Sequence, residues 1–439
     1  MAIDYTSSDL DWSQTCLAHF AAAIDQAGRV PGKSSAHPFS WDEPPSFRAV
    51  LHLADALLGT VADGDSQQIE PRVRSIVEHA VWSIANRLLE GIRDRSVVQE
   101  PESTTLFRAM AAQRGALLYR RFHSWKLRHT EGVLLQTMLT NPVRAAVVLG
   151  VDLLVGNPPS SWQESSLAIG SLAQSNSWMV NDVFPRLLDS ADPAVLAPAL
   201  DLANHSFCER GWRPHPAQER FEPLLGLLGA VVSRLAMMEE DPTRFSQTVP
   251  EIQRILFDSV SLTVSLCHTM ALLGDHRAIG KLNQAMELGH RRIRAEAAYA
   301  LVRLGEQSAV ERLLELADDD ANRPRILAYA EELGVADRLR PEWLSNEARA
   351  RSMLALHLSQ PEHFSIAPHH IELLEQRRVV LPGFDEPQAC YLFQYTYAFG
   401  DQYRSQVAFV GPFVHLLSSD VTNVDPELLF ELVLQSLEE

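Results

Sequence analysis

Lysine is nearly missing from this chain. Of 439 residues only Lys33, Lys126 and Lys281 carry it, so arginine supplies almost all of the positive charge. Acidic residues outnumber basic ones, 56 against 38, and the formal net charge is −18. That balance excludes a general phosphate-backbone binder, whose affinity comes from Lys and Arg. A local basic groove stays open. So does the reading that some arginines make planar contacts with carboxylates or phosphates, which lysine cannot make. Cysteine is sparse too: Cys16, Cys208, Cys267 and Cys390 form no CxxC pair and no disulfide framework, which fits a reducing compartment. No uninterrupted apolar run reaches the ~18 residues of a membrane span. Leu225 to Met238 comes nearest, and Arg234 interrupts it. Asp4, Asp9 and Asp11 argue against a signal peptide. A soluble cytoplasmic protein without a membrane partner is the expectation.

What the chain does contain is enough apolar residue, 46%, for a large core, and a helical pair written twice. Leu273-Gly274 is followed by Ala278, Ile279 and Leu282. Leu304-Gly305 is followed by Ala309, Val310 and Leu313, each 31 residues later. That interval fits two short helices and two turns, the unit of an α-solenoid. Gly274, Gly305 and Gly334 each follow a leucine at a helix end and suit the left-handed position beyond it.

Upstream, helical patterns run over 11–26, 47–59 and 69–89, with two more helices between 105 and 140. The Pro- and Ser-rich stretch 29–45 reads as a loop. Asn141-Pro142-Val143-Arg144 opens another helix with Asn141 as cap, and Asp192-Pro193-Ala194-Val195 opens a later one. The small residues Ala145, Ala146, Ala297 and Ala298 allow close backbone approach. From Tyr391 to Phe399 every second residue is aromatic, then come Gly400-Asp401 and the apolar run Arg404 to Val410. This predicts a β-hairpin. A helix is expected from Pro426 over 427–437.

Asn141-Pro142-Val143-Arg144, Asp192-Pro193-Ala194-Val195 and, best, the run from Ile293 to Leu301 ending at Leu304-Gly305 make the chain resemble HEAT-type, armadillo-like repeat proteins. The resemblance is best over 260–320 and weaker over 140–340. The third copy lacks the Pro, and the second has Leu196 where that family has Arg. It implies a mainly α fold: a HEAT-like α-α superhelix with a small C-terminal α+β unit containing the hairpin. The expected division is an N-terminal helical region over 1–130, repeats over 131–345 and the C-terminal unit over 346–439. The family is broad and implies little about function.

The densest group of chemistry-bearing residues is Arg114, Arg120, Arg121, Trp125, Lys126 and Arg128, with Tyr119, Phe122, His123 and His129 interleaved. Arg121, Trp125 and Arg128 would share one helical face. Such a face would clamp phosphate, stack a base or pair with an acidic partner. The same residues also read as core aromatics with arginines in internal ion pairs. His205, Cys208 and His215 are weak candidates for a zinc site and lack a fourth ligand. Glu239 to Asp241 and Asp318 to Asp320 read as solvated acidic edges, and Glu296 and Asp275 as carboxylates able to meet across repeats. No phosphate loop, nucleophile elbow or HExxH motif occurs, so neither catalysis nor a cofactor is expected. The leading expectation is a protein-protein interaction scaffold. The alternative is a nucleic-acid-binding protein or HEAT-like DNA glycosylase, and a helical metal protein or enzyme is the third.

Overall fold

A computed structural model describes residues 7–29, 46–60, 71–93, 101–127, 130–159, 161–174, 178–360, 363, 366–399, 402–417 and 424–438. The chain divides into two compact units, 1–273 and 274–439. Among the described residues of the first, every regular element is a helix. This unit comprises α1 (Ser7–Arg29), α2 (Phe47–Thr60), α3 (Pro71–Arg93), α4 (Pro101–Phe122), α5 (Thr130–Leu139) and α6 (Arg144–Gly156). Then follow α7 (Trp162–Gly170), α8 (Met179–Asp182), α9 (Phe184–Leu188), α10 (Pro193–Arg210), α11 (Phe221–Glu240) and α12 (Val249–Leu273). Of the loop expected over 29–45, Arg29 ends α1 and the rest lies outside the described residues, as does the whole break at 63–68.

Two layers emerge from the packing. In one, α3, α5, α7, α10 and α12 stack in series, and in the other α4 packs on α6 and α6 on α9. Every residue of α5 is buried, because neighbours cover it on all sides. This serial, neighbour-only contact defines a solenoid. Two helical stretches, Gln218–Glu240 and Val249–Leu273, are long and apolar enough to cross a membrane by length and composition alone. The apolar window of the second is 67% buried within the unit and that of the first 39%. From Ser259 to Leu272 of α12 nearly every side chain is buried, and α11 buries one stripe through Leu224, Leu228, Val231 and Leu235.

Helix α10 starts as the sequence requires. Asp192 caps it, accepting from the Ala194 N–H at 2.8 Å, and Pro193 occupies the first turn. Helix α6 starts later than expected. Asn141 accepts from the Val143 N–H at 3.0 Å, closing a turn ahead of the helix, and Val143 takes the cap position. The buried Asn141 amide also donates to the Arg108 carbonyl at 2.7 Å, so this residue ties α6 to α4. Ala146, Ala297 and Ala298 are buried, whereas Ala145 is exposed.

The second unit begins with α13 (Ile279–Met286), α14 (Arg291–Arg303), α15 (Ser308–Glu315), α16 (Arg323–Glu332) and α17 (Asn346–Leu358). Gly305 and Gly334 have φ of 91° and 71°. After each, the next residue's N–H bonds the carbonyl five back, Glu306 to Leu301 and Val335 to Ala330, which is the Schellman closure. Gly305→Ala is expected to cost about 1–2 kcal/mol through the left-handed backbone alone. Space is not the obstacle, since nothing lies within 4 Å of an added Cβ. Equal midpoints for the variant and wild type in urea denaturation would refute this.

The aromatic alternation produces the expected strand. Strands β1 (His370–Val379), β2 (Gln388–Phe399), β3 (Gln402–Val410) and β4 (Val414–Leu416) form an antiparallel sheet in sequential order. Tyr391 pairs with Val410 and Phe399 with Gln402, so β2 and β3 are the hairpin. The Gly400-Asp401 turn lies outside the described residues. The unit holds two more strands than the hairpin alone, β1 and β4. Tyr391, Phe393, Tyr395 and Tyr397 face α17 through Leu354 and Leu358. The opposite face buries Leu392 and Phe409 against Phe430 and Val433 of α18 (Pro426–Glu438). Both faces of the sheet are therefore covered, which gives the hairpin the packing it lacks alone.

Candidate functional site

The basic and aromatic residues at the end of α4 do not form one open face. The α-helix stops at Phe122, and His123–Trp125 continue as a single 3-10 turn that Lys126 ends at φ 48°. Trp125 is buried edge-on to Phe122, with ring centroids 5.3 Å apart, so neither of its faces is presented for stacking. Arg114 grips Asp55 of α2 with two parallel bonds, Nε at 3.1 Å and Nη2 at 2.9 Å. Arg74 of α3 donates to the Lys126 carbonyl at 2.7 Å. Arg120 and Lys126 are exposed, Arg121 is half-buried, and Arg128 lies outside the described residues. Buried Tyr119 donates to the Asn157 carbonyl, and burial followed by the Glu131 and Glu164 charges pushes its phenol well up.

His205 and Cys208 are exposed on α10, and His215 is buried. The His215 Nδ1 accepts from the Ala217 N–H at 3.1 Å, and Nε2 lies 3.1 Å from the Asn204 Oδ1. Both ring nitrogens are occupied by internal partners, so His215 has no lone pair for zinc. Among the described residues, no three of His, Cys, Asp and Glu converge to hold a metal ion. All four cysteines are thiols. Burial pushes Cys16 and Cys390 up to about 11, well away from reactive thiolate.

The arginines find their planar partners inside the protein. In the first unit Arg220 forks onto Asp189 with Nε at 2.7 Å and Nη2 at 2.9 Å, and Arg186 pairs with Asp152. In the second, Arg312 meets Glu287 at 2.6 Å and Arg338 meets Glu311. These partners stand 25 to 34 residues apart, about one repeat. Exposed rungs of this kind contribute only about 0–1 kcal/mol each, but they fix register between neighbouring repeats.

A tighter network joins α14 to α16. Glu296 is 2% exposed and pairs with Arg325, and it accepts from the Tyr329 hydroxyl at 2.7 Å. Tyr329 stacks on Tyr299 with centroids 4.1 Å apart. The Tyr299 hydroxyl donates to Glu332 at 2.6 Å, and Arg303 bonds both. Burial, then the Glu296 charge, pushes the Tyr329 phenol well up, so it stays a donor. Glu296 therefore does not meet Asp275, whose carboxylate is held at about 2 by hydrogen bonds from Arg277. The signal was available in the sequence: Glu296 to Tyr329 and Tyr299 to Glu332 are both 33 residues apart. Glu296→Gln is expected to cost about 1–3 kcal/mol, because Arg325 loses its counter-charge while one amide bond survives. Calorimetric unfolding of the variant tests this, and an unchanged midpoint would remove the network from the stability account.

The acidic run at 318–320 is also committed to the fold. Asp318 accepts from the Trp343 indole at 2.8 Å, Asp319 accepts from the Ala321 and Asn322 N–H groups, and Asp320 lies 2.6 Å from Arg323. The run therefore connects elements while Asp318 itself stays exposed.

A family model described as HEAT repeats matches residues 258–334, which covers the second half of α12 through α16. No curated protein matches the chain, and no solved structure does.

Proposed function

We propose that this chain is a noncatalytic scaffold that binds a protein partner on its HEAT-type repeats. The stack of short helices over the matched segment, closed by repeated glycine caps and knitted by arginine-carboxylate rungs, carries this reading. Such a scaffold holds an extended surface rigid, the property that repeat proteins use for recognition. The thiol state of the four cysteines supports a cytoplasmic location within the same proposal.

Nucleic-acid binding is the weaker alternative. Trp125 is buried and Arg114 is neutralised by Asp55, which removes two of the groups that would read bases and phosphates. A tagged full-length protein captured from source-cell lysate, with and without nuclease, separates the two. A stoichiometric protein partner that survives nuclease supports the scaffold. Partners lost on nuclease treatment, together with duplex binding at low salt, would replace it with the nucleic-acid reading.

A further inference from the structure

A cavity of about 820 Å³ lies in the first unit where α3 ends, walled by α4, α5, α6 and α7 and by Trp178. That volume falls within the range of small-molecule sites. Among the described residues its lining contains two arginines, Arg93 and Arg108, and no carboxylate. In a chain of net charge −18 that is an unusual balance. It contrasts with Arg114, Arg186 and Arg220 of the same unit, each of which has a carboxylate partner. Among the described residues neither Arg93 nor Arg108 makes an ion pair.

Two polar atoms of the lining are buried and have no hydrogen-bond partner: the Arg108 Nε and the Ser166 Oγ. Both can donate. The other polar groups nearby are already spent. Gln136 donates to the Leu167 carbonyl at 3.0 Å, Ser171 to the Ala168 carbonyl and Asn141 to the Arg108 carbonyl. The last of these fixes the backbone that carries the Arg108 side chain. Arg108 is half-buried and Arg93 exposed, but the enclosed Arg108 Nε lacks an acceptor, and a planar oxyanion is the group that supplies one best. The apolar part of the wall includes Leu139, Leu167 and the Trp178 ring, over which the Arg144 guanidinium lies 5.3 Å from the ring centroid.

We infer that this cavity binds a small organic oxyanion, a phosphate monoester or carboxylate on a flat apolar body. The oxyanion lies on Arg93, Arg108 and the Ser166 hydroxyl. The body lies against Leu139, Leu167 and Trp178. The site stands apart from the scaffold reading, and either can fail without the other.

Isothermal titration of the full-length protein with phenyl phosphate and with benzoate tests it, with benzyl alcohol as the uncharged counterpart. At least one anion should bind with a Kd below about 1 mM, and benzyl alcohol should bind more weakly. Arg108→Gln and Arg93→Gln should each weaken that anion by about tenfold, while Arg186→Gln, outside the cavity, should leave it unchanged. Should R108Q unfold, the exposed Arg93 position decides the matter by itself. Absence of binding by both anions, or full affinity in R93Q, overturns the proposal. Partner capture from lysate should be unaffected in R93Q, which keeps the two readings distinguishable.

Discussion

Arg323→Ala is expected to destabilise the C-terminal unit by about 3–5 kcal/mol, the largest effect of any single substitution considered. Arg323 sits at the start of α16 and is only 6% exposed. Its Nε donates to the Ala317 carbonyl at 2.9 Å, and Nη1 donates to the Ala348 carbonyl at 3.0 Å and lies 3.1 Å from the Ser352 hydroxyl. The Asp320 carboxylate is 2.6 Å away. One planar group thus ties the turn after α15, the start of α16 and the first turns of α17. Truncation leaves the Ala317 carbonyl and a mostly buried carboxylate uncompensated, and that desolvation cost is what the variant pays. Arg323→Lys keeps the charge but not the fork, so it should fall between the two. Urea unfolding followed by fluorescence reads the loss, since the buried Trp343 donates to Asp318 two residues from Asp320. A loss below about 1 kcal/mol for R323A would mean that neighbouring groups or solvent take over its role.

Arg323 also illustrates what the sequence discloses. Scarce lysine pointed to planar arginine contacts, and such contacts recur between neighbouring helices. Which arginine bonds which acid was not legible, because partners lie about a repeat apart and depend on the exact rotation of each helix. The 31-residue echo of Leu-Gly pairs announced the repeat, since a left-handed closure needs glycine and leaves a mark in one dimension. The aromatic strand was legible for the same reason: β2 buries alternate residues against α17. Strand β1 was not. Its sequence HIELLEQRRV does not alternate, because it is an edge strand with a register shift between Leu373 and Glu375. The cavity was the least legible feature. Arg93, Arg108, Ser166 and Trp178 come from separate elements, and nothing in their spacing joins them.

The first unit should lose stability as the pH falls from 6.5 towards 4, and His215 should account for a share on the order of 3 kcal/mol. Because Nδ1 accepts from the Ala217 N–H, the neutral ring carries its proton on Nε2 and donates it to Asn204. Asn204 is thereby oriented with its oxygen towards the ring, where it also lies 3.1 Å from the Thr269 hydroxyl on α12. Protonating Nδ1 would break the first bond and place a charge at a site 2% exposed. Burial therefore pulls the pKa down from 6.5 to about 4, and the nearby His268 and Arg213 act in the same direction. Above pH 6.5 both folded and unfolded chains hold His215 neutral, and the full stability is present. Between 6.5 and about 4 the unfolded chain takes up a proton that the folded chain refuses, so unfolding is progressively favoured. Below about 4 the folded chain binds it too, and this contribution levels off. His215→Gln removes the titration, and comparing urea unfolding of variant and wild type at pH 5 and pH 7 isolates it from the carboxylates. The wild type should lose more between the two conditions than H215Q does. An identical loss in both proteins would show that His215 protonates without cost, and would return this ring to the list of groups able to bind a ligand.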